Sequence, residues 1–150
     1  MTVLENGEVA TGPLRKAKAT DLYTLKGGET QDLEPHFTYH GFQYVQIEGW
    51  PEDVPLDGRS IKAVAFWADM EPTGEWKSSN KLLNKLHANI RWGMRGNFLS
   101  VPTDCPQRDE RLGWTGDAYA FGPTANFLYD TAGFWRAWFK DLQSEQLPTR

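Results

Sequence analysis

The sequence is poor in the features that would place it in several broad classes at once. It has a single cysteine, Cys105, so no disulfide can form within the chain and a disulfide-stapled scaffold is excluded. No run approaches the ~18 consecutive apolar residues needed to cross a bilayer. There is no basic excess: 16 Lys and Arg stand against 20 Asp and Glu, a net charge of −4. That balance offers no electrostatic footprint for nucleic acid, and no membrane partner is expected either. Internal repeats and low-complexity tracts are absent. The first residues, MTVLENGEVATGP, lack a basic stretch followed by an apolar one, so no signal peptide is visible. Location is left open, with the balance towards the cytoplasm. What the chain does have is aromatic bulk. Seven tryptophans, five tyrosines and eight phenylalanines occur in 150 residues, where about two tryptophans would be ordinary. Such a chain can bury enough surface to escape disorder.

Two periodicities divide the sequence. Residues 1–71 read as β. Short apolar stretches are separated by turn signals at Asn6-Gly7, Gly27-Gly28, Trp50-Pro51 and Asp57-Gly58. Strands are expected over Thr20–Leu25, Tyr39–Glu48 and Ser60–Asp69. A free-standing sandwich needs about seven strands, so this half reads as part of one. From Pro72 the period becomes helical. Ser78, Ser79 and Asn80 are N-cap candidates, and Leu82, Leu83, Leu86, Ile90 and Met94 follow at helical spacing. Gly93 and Gly96 should weaken the end of that helix. A helix is expected over Asp117–Tyr129 with a kink or restart at Pro123. Thr131 should cap a last helix whose Phe134, Trp135, Trp138, Phe139 and Leu142 line one face. An α+β fragment is therefore expected, with strands first and helices after, and with further helices needed to cover that face.

Asn97–Gly116 is polar, contains Pro102 and Pro106, and has no period. Asp104, Asp109, Glu110 and Asp117 place four carboxylates within fourteen residues, interleaved with Arg108, Arg111 and Trp114. Calcium would need alternating oxygens without competing arginines, and zinc would need His or Cys ligands. His36 and His40 have a metal-pair gap only on a helix; on a strand they lie roughly 13 Å apart. No metal or other cofactor is expected. Cys105 among acids reads as an inert buried thiol. Glycoside chemistry can use this set, because it needs one protonated carboxyl beside the leaving oxygen and one ionised carboxylate. Spacing alone leaves a solvated, ion-paired surface loop as the first reading. Arg15–Lys18 reads as solvated charge, and Trp67 and Trp76 read as packing at the junction of the halves.

The stretch Ser100–Ala118, SVPTDCPQRDERLGWTGDA, resembles the active-site signature of bacterial α-L-rhamnosidases of glycoside hydrolase family 78. Asn80–Leu99 and Thr124–Asp141 are similar to the barrel helices on either side of that signature. Ala17–Gly27 and Pro35–Gly49 are similar to the preceding β-sandwich. The resemblance implies the end of a β-sandwich over residues 1–71 and the first helices of an (α/α)6 barrel over residues 72–150. It also implies inverting hydrolysis of terminal α-L-rhamnose from a rhamnose-containing glycoside or oligosaccharide. By position in the motif, Glu110 matches the family's general acid. Asp104, Arg108 and Asp117 match residues that hold sugar hydroxyls, and Trp114 matches the aromatic wall of the pocket. Asp109 and Arg111 are read as structural, pairing to shape the loop. The family's general base is a glutamate further downstream, with no match here, so these 150 residues alone are expected to be inactive. The other readings are a non-catalytic carbohydrate-binding module and a related barrel glycosidase acting on another sugar.

Overall fold

The structure is a computed structural model and describes residues 3–146. The tail Pro148-Thr149-Arg150 lies outside them. Three helices dominate: α1 over Lys81–Asn97, α2 over Thr115–Leu128 and α3 over Ala132–Glu145.

Asn80 starts α1. Its Oδ1 accepts from the backbone N–H of Leu82 at 2.9 Å and of Leu83 at 3.4 Å, satisfying two of the helix's unpaired donors. The helix ends at Asn97, with Gly93 and Gly96 close to its end, as the sequence suggested. By contrast, α2 continues through Pro123. A proline in the interior removes one hydrogen bond, and here packing compensates: Ala125 and Leu128, just beyond it, are buried in the core. At the start of α3, Thr131 occupies the cap position but makes no capping bond. Asp130 does so instead, accepting from Ala132 N–H at 3.1 Å.

The core lies where the ends of these helices meet. Met94, Phe98, Ala125, Leu128, Tyr129 and Phe134 are buried together, with Phe121 and Trp135 packed against them. Phe98 is its centre. Its ring stacks on Phe134 at 4.6 Å and meets Phe121 and Trp135 edge-on at 5.9 and 5.4 Å. On α3, Phe134 and Trp138 are buried, whereas Phe139 is 62% exposed. The expected apolar face is thus only half covered.

The first half differs from expectation. Among the described residues no strand forms. The segments Thr20–Leu25, Tyr39–Glu48 and Ser60–Asp69 carry no ladder, and pairing is limited to isolated bridges such as Val3 with Val9. A strand, unlike a helix, takes its hydrogen bonds from a neighbour, so a β-rich stretch without partner strands has no ladder to join. The total accessible surface shows the same deficit. It is 12592 Å² for 17.1 kDa, against about 7,800 Å² for a compact monomer of that mass.

Part of the order in this half comes from the helices. Residues 66–73 form a strap across them. Ala68 N–H donates to Phe98 O at 3.0 Å, Asp130 N–H to Glu71 O at 2.8 Å, and Thr73 N–H to Leu128 O at 3.1 Å. Trp67 stacks under the Arg95 guanidinium of α1 at 4.2 Å, and Trp76 lies against His87 at 5.4 Å. Trp67 therefore packs across the junction, whereas Trp76, 45% exposed, packs within the second half.

Candidate active site

The segment between α1 and α2 has no regular structure, yet it is held at many points. Its entry is fixed by Thr103, whose N–H donates to Asn97 O at 2.9 Å, and by Pro102, which is fully buried. Its exit is fixed by Trp114, whose N–H donates to Pro102 O at 3.0 Å. Between these, the Glu110 carbonyl accepts twice, from Leu112 N–H at 2.7 Å and from the Trp114 indole N–H at 2.9 Å. A long loop with no period is normally mobile. Here buried proline and backbone bonds replace the missing helix ladder.

Two glycines permit close approaches that no side chain would. A Cβ on Gly113 would stand 2.1 Å from Trp138 Cη2 of α3. A Cβ on Gly41 would stand 2.8 Å from the Pro106 carbonyl carbon, and Gly41 N–H donates to Pro106 O at 3.1 Å. The first contact seats the loop on the helices, and the second seats it on the N-terminal half. Arg111 strengthens the second. Its Nη1 donates to Tyr39 O at 2.7 Å and its guanidinium lies 5.1 Å over the Tyr39 ring. The expected Arg111–Asp109 pair is not formed; a carbonyl fixed beside an aromatic face holds the guanidinium, and Asp109 stays exposed.

Three of the expected site residues come together. Arg108 Nη2 donates to Asp104 Oδ2 and to Glu110 Oε2, both at 2.8 Å. Asp104 Oδ1 and Arg108 Nε are buried and have no hydrogen-bond partner in the protein. Burial alone would raise the Asp104 carboxyl. Hydrogen bonds from the Arg108 guanidinium and the Cys105 thiol outweigh it and hold the carboxyl below its ordinary value. The Cys105 thiol is buried, and that burial, with the Asp104 carboxylate beside it, pushes it up, as an unreactive thiol requires. Trp114 joins through its indole bond, with its ring 41% exposed beside Glu110. Asp117 stands in the first turn of α2, exposed, and makes no hydrogen bond or ion pair with the other four.

One residue of the site has no signal in the sequence. Arg15, from the N-terminal half, donates through Nη1 to Glu110 Oε1. It was expected to be solvated charge; its partner lies 95 positions away, beyond any local pattern. Glu110 is therefore an acceptor on both oxygens, one towards each half. Two concavities of the described surface lie elsewhere. One is lined by Trp76, Leu83, Leu86, His87 and Ile90, and the other by residues including Asp21, Glu34 and His36. Among the described residues no group of His, Cys, Asp and Glu is arranged to hold a metal, and no helix is long and apolar enough to cross a membrane.

Comparison with known proteins bears on both halves. Residues 71–150 match the bacterial α-L-rhamnosidase 6 hairpin glycosidase domain, and residues 1–66 match the bacterial α-L-rhamnosidase concanavalin-like domain. An α-L-rhamnosidase from Streptomyces avermitilis is 48% identical over 144 residues, covering 94% of this chain and 14% of the relative. One from Formosa agariphila is 42% identical over 141 residues, covering 94% and 15%. Among solved structures, native α-L-rhamnosidase from Aspergillus terreus is 67% identical with a TM-score of 0.89, covering 96% of this chain and 17% of that one. The Streptomyces avermitilis enzyme complexed with L-rhamnose is 46% identical with a TM-score of 0.90, covering 97% and 14%. The chain thus spans 14–15% of the length of these two curated relatives.

Proposed function

The chain belongs to the bacterial α-L-rhamnosidase family, and from that premise we propose that it supplies the general acid and part of the sugar pocket of a glycoside hydrolase releasing terminal α-L-rhamnose with inversion. The observation that carries this is the unbroken set of contacts from Asp104 through Arg108 to Glu110, beside the exposed ring of Trp114.

Glu110 is the acid in this reading. It passes a proton to the glycosidic oxygen as the bond from that oxygen to the anomeric carbon breaks. A water attacks the opposite face of the sugar and gives its proton to a second carboxylate, the base. That base is assigned to a part of the barrel beyond these 150 residues. A general acid must present an O–H, while both Glu110 oxygens accept from guanidinium groups. Substrate entry must therefore displace one of the two, and the freed oxygen takes up a proton from solvent before passing it on. Arg108 is the one able to leave, because it keeps Asp104 as a partner. Asp104 Oδ1 and Arg108 Nε are buried while Arg108 bridges to Glu110; once Arg108 shifts, a sugar hydroxyl, which donates and accepts, can satisfy both. Trp114 offers an apolar face for the ring, and Asp117 offers a further carboxylate from α2. The unpaired, β-rich first half is assigned to a β-sandwich completed by further strands.

The test is Glu110→Gln in the full-length protein. Hydrolysis of an alkyl α-L-rhamnoside should fall by about 10²–10⁴-fold, the usual share of general acid catalysis, with an unchanged circular dichroism spectrum. Near-normal turnover would remove Glu110 as the acid. The anomer released first, read by NMR, reports inversion or retention directly.

A further inference from the structure

Arg15 has three properties that solvated charge does not explain. Its guanidinium donates to Oε1 of Glu110. Its backbone stands at φ 56° and ψ −115°, a conformation that side-chain-bearing residues rarely adopt. And it is anchored on both sides: Leu14 before it is buried, and its own N–H donates to Gly12 O at 3.1 Å, closing the 3-10 turn Gly12–Leu14. A strained residue persists only where its surroundings over-determine it, and such residues concentrate at functional sites. From that strained turn the guanidinium reaches a loop 95 positions away in the chain.

We propose that Arg15, supplied by the concanavalin-like half, is a positioning residue for Glu110: it holds Oε1 and thereby orients Oε2 to deliver the proton. The inference rests on the assignment of Glu110 as the general acid. The division of labour follows from partners. Arg108 bridges Asp104 and Glu110, so it can release Oε2 and remain paired. Arg15 pairs with Glu110 alone among the described residues. It therefore keeps its oxygen while Arg108 gives up the other. As the proton leaves, negative charge grows on Glu110, and a guanidinium already in place stabilises that charge without having to reorganise. The barrel would then hold an acid that is correctly oriented only when the N-terminal half is docked.

The experiment compares Arg15→Gly, Arg15→Lys and Glu110→Gln in the full-length protein, on methyl and 2,4-dinitrophenyl α-L-rhamnosides. Methoxide departs only with a proton, whereas dinitrophenolate leaves without one. Arg15→Gly should lower kcat on the methyl glycoside by about fivefold, the scale of one half-exposed ion pair, with KM little changed. On the dinitrophenyl glycoside it should change little. Arg15→Lys should recover most of the loss, because it restores the charge. Glycine accepts φ 56° freely, so the melting temperature of Arg15→Gly should stay level or rise as kcat falls. A merely structural role predicts the opposite, with melting temperature and both substrates falling together. Equal losses on both substrates, a lowered melting temperature, or no loss would each overturn the inference. If Glu110→Gln shows the leaving-group-dependent loss and Arg15→Gly does not, only the role of Arg15 falls. If Glu110→Gln is active on both substrates, the acid assignment falls and takes this inference with it.

Discussion

Gly113→Ala is the smallest substitution with a large expected effect. The added methyl would lie 2.1, 2.5 and 2.9 Å from Cη2, Cζ3 and Cζ2 of Trp138. Ordinary contact starts near 3.4 Å, so the loop and the indole must separate by about 1.3 Å. Trp138 is buried at 8% exposure, so moving its ring would disturb its packing. The loop therefore takes much of the shift. Leu112 and Trp114, on either side of Gly113, both bond to the Glu110 carbonyl. Displacement at Gly113 passes through those two bonds to the candidate acid. Overpacking of this kind costs about 1–3 kcal/mol in stability. A misplacement of about 1 Å at a catalytic group costs about 10²-fold in rate. In the full-length protein, kcat on an alkyl α-L-rhamnoside should fall by that order in Gly113→Ala. Trp138→Leu should restore much of it in the double variant, since the clashing ring is gone. The cycle isolates the contact: the double variant should be better than the product of the two single losses by about fivefold or more. Wild-type turnover in Gly113→Ala, or a double variant no better than that product, would refute the close packing of loop and helix.

Three further outcomes follow from the same geometry. Gly41→Ala meets backbone atoms, Pro106 C at 2.8 Å and Gln107 N at 2.9 Å, which cannot rotate away; it should lower kcat without rescue by any single side-chain truncation, and normal kcat would contradict the docking. Asp104 is held below its ordinary value in the fold, so its ion pair stabilises fully above the unfolded range near about pH 4, and that stabilisation is lost as pH falls through the folded value. The melting-temperature gap between the parent and Asp104→Asn should accordingly be constant near neutrality and shrink in acid; a gap unchanged down to about pH 2 would refute it. Cys105, buried with a raised thiol, should resist iodoacetamide until the protein is denatured, and rapid alkylation of the native protein would show the loop to be open.

Legibility in the sequence tracked how local each interaction is. The three helices were readable because their signals are neighbours in the chain: Asn80 beside Leu82 and Leu83, and apolar residues one turn apart. Gly96 marked the end of α1 to within one residue, whereas Pro123 does not interrupt α2, because local propensity is a weak prior and the packing of Ala125 and Leu128 overrides it. The expected strands did not form because strand bonds require distant partners. At the site, the motif placed Asp104, Arg108, Glu110 and Trp114 within one loop, and they do meet. It did not show that Asp117 stands apart on α2, or that Arg111 turns to Tyr39 instead of Asp109. Nor did it show Arg15, because an ion pair spanning 95 positions leaves no period, spacing or composition to read.

The position of the loop gives the N-terminal half a role beyond covering surface. From the helical side the loop is held by Thr103 on Asn97 and by Gly113 under Trp138. From the other side it is held by Gly41 on Pro106, Tyr39 on Arg111 and Arg15 on Glu110. Each bond on that second side is exposed or half-buried, and worth about 1 kcal/mol or less alone. Together they act on a segment with no ladder of its own, so losing them leaves the loop fixed along one edge only. Sites between two bodies are common because each wall can be supplied by a different fold. Here the division falls within a single side chain. The two oxygens of Glu110 answer to arginines from opposite halves, so the geometry of the candidate acid depends on how the halves dock. A substitution at that seam, far from any sugar, should therefore be read first in kcat and only second in binding.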